Sequence, residues 1–261
     1  MAVTTARPRQ EQKRGWFATL RKDTWWFPPA RDGAVLGAVL LYSLWASVQT
    51  TGYAFGNYIS PIFSPCITSS CGEHTNVQLI GDWYALSPAL LVAAFPVGFR
   101  LTCYYYRKVY YRAYFLSPPA CAVAEPRKTY KGESRFPLVL NNIHRYFWVA
   151  GALVSLILFY DAYMSFKFDD GFGLGVGTIL LTANAVFFGL YTLSCHSCRH
   201  ILGGRLKNFS KRPLRYKAWG LVSKLNARHM TYAWLSLPMI PIADLYVRLL
   251  ANDVLTDFRF F

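Results

Sequence analysis

The fold class this sequence predicts is all-α: an integral membrane bundle of five helices, with a cytoplasmic N-terminus and an outer C-terminus. Three observations predict it. Hydrophobic side chains make up 54% of the 261 residues and charged ones only 16%, well below the roughly 25% charged fraction of a soluble domain. The apolar residues gather into long uncharged blocks and are not spread at helix or strand period. The cations alternate between gaps: seven Lys or Arg precede the first block, eight fall in or beside the second gap and nine in the fourth, leaving only Arg100, Lys167, Arg248 and Arg259 elsewhere. A soluble enzyme, a disordered chain, a collagen and a coiled coil are all excluded by this pattern.

Residues 1–32 form a basic cytoplasmic segment carrying Arg7, Arg9, Lys13, Arg14, Arg21, Lys22 and Arg31, unlike a cleavable signal peptide. An anchor domain follows over 33–250. Its first span, 33–56, holds no charge and is about as long as the ~20 residues needed to cross ~30 Å of hydrocarbon. The second, 86–106, has Arg100; the third, 146–166, has Asp161; the fourth, 172–198, has none; the fifth, 229–250, has Asp244 and Arg248. Pro96, Pro238 and Pro241 are expected to kink helices, because bare backbone cannot cross lipid. Residues 251–261 are an outer tail. The positive-inside rule sets the orientation and accounts for the net charge of +15 without nucleic acid; the partners it implies are the lipid bilayer and an acidic soluble protein.

Cysteines sort by side. Cys66 and Cys71 lie in the outer connector 57–85, where a disulfide is expected. Cys103, Cys121, Cys195 and Cys198 fall at or beyond inner helix ends, and so do His144, His196, His200 and His229; only His74 is outside. On a continuous helix Cys195 and Cys198 are about 60° apart and His196 and His200 about 40° apart. One helix cannot aim all four at one metal, so partners from other spans are needed. A stripe of small residues (Gly171, Gly175, Thr178, Thr182, Ala185, Gly189, Thr192) runs towards His196 and should face other helices. Zinc, haem b and an iron–sulfur cluster with mixed ligands all suit this donor set. Cys198-Arg199-His200 and Cys71-Gly72-Glu73-His74 look like two halves of a Rieske motif, but they stand on opposite membrane faces and cannot share a cluster across ~30 Å.

The runs TCYYYRK at 102–108, LSPPACAVAEP at 116–126, Phe136-Pro137, NIHRYF at 142–147, LSCHSCRH at 193–200 and LNARH at 225–229 resemble the membrane-anchor subunit of actinobacterial succinate dehydrogenase, over about residues 98–248. The resemblance implies a five-helix anchor of respiratory complex II. Its partners would be a flavoprotein subunit and an iron–sulfur subunit on the cytoplasmic face, and it would deliver electrons to menaquinone. It also implies a membrane-embedded [2Fe–2S] cluster with mixed Cys/His ligation, with one haem b as the alternative. Two stacked haems do not fit, since no histidine lies in the outer half of a span. The expected ligands are Cys195 and Cys198 on one iron and two of His196, His229 and His144 on the other, with Cys103 in reserve. Arg100, Tyr104, Trp148 and Tyr232 are the expected quinone contacts. Asp244 and Arg248, four residues apart, are expected to neutralise each other, and 107–140 with 199–228 to form the docking face. The competing classes are a zinc-dependent membrane enzyme such as an acyltransferase, and a small transporter, which the lack of internal repeats disfavours.

Overall fold

A computed structural model describes residues 15–68, 71, 80, 81, 83, 86–126, 132–136, 138–204 and 206–261; His74 and Arg205 lie outside the described residues. The chain is mostly helical: α1 (Phe27–Ser47), α2 (Ala89–Val92), α3 (Ala94–Leu101), α4 (Tyr104–Ala113), α5 (His144–Met164), α6 (Val176–Leu193), α7 (His196–Gly203), α8 (Pro213–Asn226) and α9 (His229–Ala251). Two small antiparallel hairpins, β1 (Ala54–Phe55) with β2 (Tyr58–Ile59) and β3 (Lys167–Phe168) with β4 (Gly171–Phe172), turn the chain at one end. α6 lies at the centre, packed between α5 and α9. Leu41, Leu44, Leu153, Leu156 and Leu245 stay exposed, as on a helix surface that lipid covers.

Among the described residues three stretches are long and apolar enough to cross a membrane, by length and composition: Leu138–Met164, Val176–Leu193 and His229–Ala251. α1 falls short of that measure because Arg31 and Asp32, ion-paired to each other at 2.7 Å, lie inside it. It also begins and ends earlier than the predicted 33–56. Pro28 and Pro29 start it, since proline is preorganised for a first turn, and Gly52 at φ +73° begins the turn into β1.

The predicted second and fourth spans need correction. Residues 86–106 are three helical pieces, not one helix. Pro96 offers no N–H to the carbonyl of Val92, and α2 ends there. The backbone is extended again at Cys103 (φ −68°, ψ 134°) before α4. The fourth span breaks in the same way at Cys195 (φ −62°, ψ 143°), between α6 and α7. The helical angles that placed Cys195 beside Cys198 assumed a helix that is interrupted between α6 and α7.

The cationic connector folds back as α8 onto α6 and α7. Arg215 donates to the carbonyls of Ile201, Leu202 and Gly204 at 3.1, 2.5 and 2.6 Å, satisfying the otherwise orphaned end of α7. Arg215→Ala is expected to cost about 1–2 kcal/mol, read as a lower thermal midpoint of the detergent-solubilised protein.

At the opposite end Cys66 and Cys71 are joined by a disulfide within a cluster of Tyr53, Ile59, Phe63 and Ala89. The tail returns over the bundle: Phe260 N–H donates to Leu174 O at 2.8 Å and Val176 N–H to Phe258 O at 3.0 Å. Asp257 caps α6, accepting from Gly177 N–H at 3.1 Å and from the hydroxyls of Tyr58 and Tyr246, each at 2.6 Å. Burial and this bond to Asp257 hold the Tyr58 phenol above its ordinary pKa, so it stays a donor. Asp257→Ala is expected to destabilise by about 2 kcal/mol, measured by the same melt.

Candidate thiol–imidazole site

Both helix breaks put a cysteine at the N-cap of the following helix, where unsatisfied N–H groups favour a sulfur that carries negative charge. Cys195 Sγ accepts from Ser197 N–H at 3.4 Å. Cys103, Cys195 and His229 are almost fully buried, at 2%, 1% and 2% exposure. His144 Nε2 lies 3.3 Å from Cys195 Sγ, and His229 Nε2 lies 3.8 Å from Cys103 Sγ. Four elements therefore bring two thiols and two imidazoles to one end of the bundle.

The residue before each cysteine holds the other pair's histidine. Thr102 Oγ1 is 2.8 Å from His144 Nδ1, and Ser194 Oγ is 2.7 Å from His229 Nδ1. Each hydroxyl proton is already committed to a carbonyl, Thr102 to Gly98 O at 2.7 Å and Ser194 to Tyr191 O at 3.1 Å. With the hydroxyl protons on those carbonyls, the oxygens accept from Nδ1–H in both rings and both Nε2 lone pairs face sulfur. Aromatic faces fix the rings: Phe99 stacks on His144 at 5.3 Å, Tyr191 on His229 at 5.1 Å, and the two aromatics meet at 4.8 Å. Thr102, Ser194, Phe99 and Tyr191 were missed in the sequence. The available signal was a hydroxyl residue directly before a cysteine, occurring at both breaks.

Other expected donors stand apart. Cys198 is buried but forms no bond to an imidazole among the described residues. His196 is exposed, its ring edge-on to His229 at 6.0 Å, because α7 restarts after the break and turns it to the rim. There it lines a recess with Arg199, His200 and Trp219. His200 is engaged by Arg145 at 2.7 Å, and Cys121 is exposed. Among the described residues no group of three or more His, Cys, Asp or Glu side chains closes to metal-binding distance; the donors stand as two sulfur–nitrogen pairs.

Among the described residues, the four expected quinone contacts share none of the main cavities. Tyr104 is exposed beneath Arg107, the Trp148 indole donates to Thr192 O at 2.9 Å, and Tyr232 packs against the core. Arg100 does not snorkel. It donates to Tyr106 Oη and to Ser236 Oγ and O, and lies over the rings of Tyr106, Phe188 and Tyr191 at 5.6, 5.5 and 5.2 Å. Its Nε has no partner, and no carboxylate pairs with it among the described residues. It lines a narrow apolar cavity of about 90 Å³ that reaches Ile62 and Ser64 of the opposite end.

The apolar helices and the buried thiol–imidazole pairs at one end define a helical membrane protein built around a donor site. The chain belongs to the family of actinobacterial succinate dehydrogenase subunit SdhC, whose model matches residues 27–253. It is a multi-pass protein of the plasma membrane and a subunit of a succinate dehydrogenase complex. A chain of the Mycobacterium smegmatis Sdh1 complex in the apo form is 45% identical, with a TM-score of 0.87 over 100% of this chain and 99% of that one. No curated protein matches. The family sets aside the acyltransferase and transporter readings.

Proposed function

We propose that this chain anchors the flavoprotein and iron–sulfur subunits of succinate dehydrogenase to the cytoplasmic face and carries electrons from the iron–sulfur subunit to menaquinone. In this reading the chain crosses the membrane five times, the second crossing by the broken α2–α4, with residues 1–32 and the cationic connectors inside and 251–261 outside. The crossed pairs of Cys103 with His229 and Cys195 with His144 carry the proposal. Two cysteines and two histidines, each histidine oriented through its other nitrogen, fit a mixed-ligand [2Fe–2S] centre. Such a centre supplies one-electron transfer at a potential above that of an all-cysteine cluster.

The chain's own residues do the rest. Thr102 and Ser194 keep both imidazoles in the tautomer that leaves Nε2 free, and Phe99 and Tyr191 exclude water. The unpaired charge of Arg100 favours negative charge nearby and offers N–H donors to a quinone carbonyl from the inner end of the apolar cavity. The test is low-temperature electron paramagnetic resonance with an optical spectrum on the dithionite-reduced complex and its His229→Ala variant. A rhombic signal with average g near about 1.9, lost in the variant, is expected. Sharp reduced haem bands would assign the histidines to haem b, and a colourless, spin-silent anchor would end the redox reading.

A further inference from the structure

A second cavity, of about 500 Å³, opens between the first turns of α1, the outer face of α4 and the start of α9. Arg31, Lys108 and Arg112 stand around it with Asp32, which Arg31 already engages at 2.7 Å. Two cations thus remain without a carboxylate among the described residues. Lys108 and Arg112 are one helical turn apart, on the same face of α4 as Tyr105 and Val109. The floor is apolar, made by Val35, Val109, Met230 and Trp234. The walls are tied together by Tyr114, which donates to Gly33 O at 2.6 Å.

Cations over an apolar floor, at the level where three helices leave the membrane, match an amphiphile with an anionic head and a hydrocarbon body. We propose that this cavity binds an anionic phospholipid of the cytoplasmic leaflet, with the phosphate between Lys108, Arg112 and Arg31 and an acyl chain along Val35, Met230 and Trp234. The inference rests on the cytoplasmic placement of this end but not on the redox reading. A protein partner would use the cations without needing the apolar floor, and a neutral quinone would not need the charges. The lipid would wedge α1 against α4 and α9, the helices that carry Cys103 and His229 at their first residues or N-caps.

The intact complex is purified in mild detergent as the parent, as Lys108→Gln/Arg112→Gln, and as the charge-keeping Lys108→Arg/Arg112→Lys. Extracted phospholipid is then identified by mass spectrometry and counted as phosphorus. The glutamine variant is expected to lose about one anionic phospholipid per complex, while the charge-keeping variant retains it; both keep their soluble subunits because Lys108 and Arg112, although within the 107–140 docking segment, line the cavity. Phosphatidylglycerol, added after delipidation, is expected to raise the thermal midpoint of the parent but not of the glutamine variant, with phosphatidylcholine and inorganic phosphate inactive. Equal lipid in all three preparations overturns the proposal. So does stabilisation by inorganic phosphate equal to that by phosphatidylglycerol, which makes the site one for free anions. Loss of the soluble subunits from the glutamine variant would assign the cations to the docking face, and loss of bound quinone in place of lipid would assign the cavity to quinone. The cluster signal of the same preparations is read separately, so failure here leaves the redox reading standing.

Discussion

Cys103→Ser is expected to abolish quinone reduction by the complex, by more than about 100-fold, while Cys198→Ser leaves it within a few-fold of the parent. The two thiols are both buried, so burial does not separate them. What separates them is the imidazole opposite. Cys103 faces His229 Nε2 at 3.8 Å, whereas Cys198 faces no imidazole among the described residues. Thr102→Val and Ser194→Ala, which free Nδ1 of His144 and His229, are expected to cost about 10–100-fold through the orientation of the rings. Succinate oxidation with a soluble dye should persist in all four variants, because that step belongs to the flavoprotein. The reverse ranking, Cys198 essential and Cys103 dispensable, would restore two adjacent cysteines as ligands and remove the crossed arrangement.

Asp244→Ala is expected to be the most destabilising single substitution at the end of the bundle opposite the thiol–imidazole pairs, by about 3–5 kcal/mol. The carboxylate is fully buried and accepts from Arg248 Nε at 2.8 Å, Tyr42 Oη at 2.7 Å and the Ser60 hydroxyl. Arg248 in turn donates to Ala46 O at 3.1 Å, in the last turn of α1, and to Thr51 O at 3.2 Å, in the turn that leads to β1. Removing the acid strands a buried guanidinium and unties α1, α9 and the first hairpin together. A combined Asp244→Leu/Arg248→Met change should recover part of the loss, since no charge is then left unpaired, although the two carbonyls lose their donor. Thermal unfolding of the purified complex reads both. A single variant that melts with the parent would mean the network carries little stability. Asp161 differs: its partner is the Ser64 hydroxyl, with no cation beside it among the described residues.

How much of this was readable in the sequence differs by element. α5 and α9 lie within two residues of the predicted spans, because an apolar run bounded by charged and polar turns leaves hydropathy one solution. The i, i+4 pairing of Asp244 with Arg248 followed from helical spacing alone. The breaks at 102–103 and 194–195 were not readable from hydropathy, since Thr-Cys and Ser-Cys are neither apolar gaps nor proline breaks and the profile passes through them unchanged; the repeated hydroxyl–cysteine pair was their one local mark. That one omission left the neighbours of each cysteine unread. A continuous helix gave Cys198 and His196 the positions that the structure gives to Cys103 and leaves at the rim. Which residue types gather at that end follows from their order along the chain, whereas which of them meet depends on the backbone torsions at Cys103 and Cys195.

The Cys103–His229 pair spans 126 residues of chain, from the N-cap of α4 to the first residue of α9. Any group held between those donors has no complete site until α9 has been inserted and packed. Loading of the proposed group would therefore be a late event in biosynthesis, after translation of the final helix, and a chain stalled before residue 229 would stay empty however well its earlier helices had assembled.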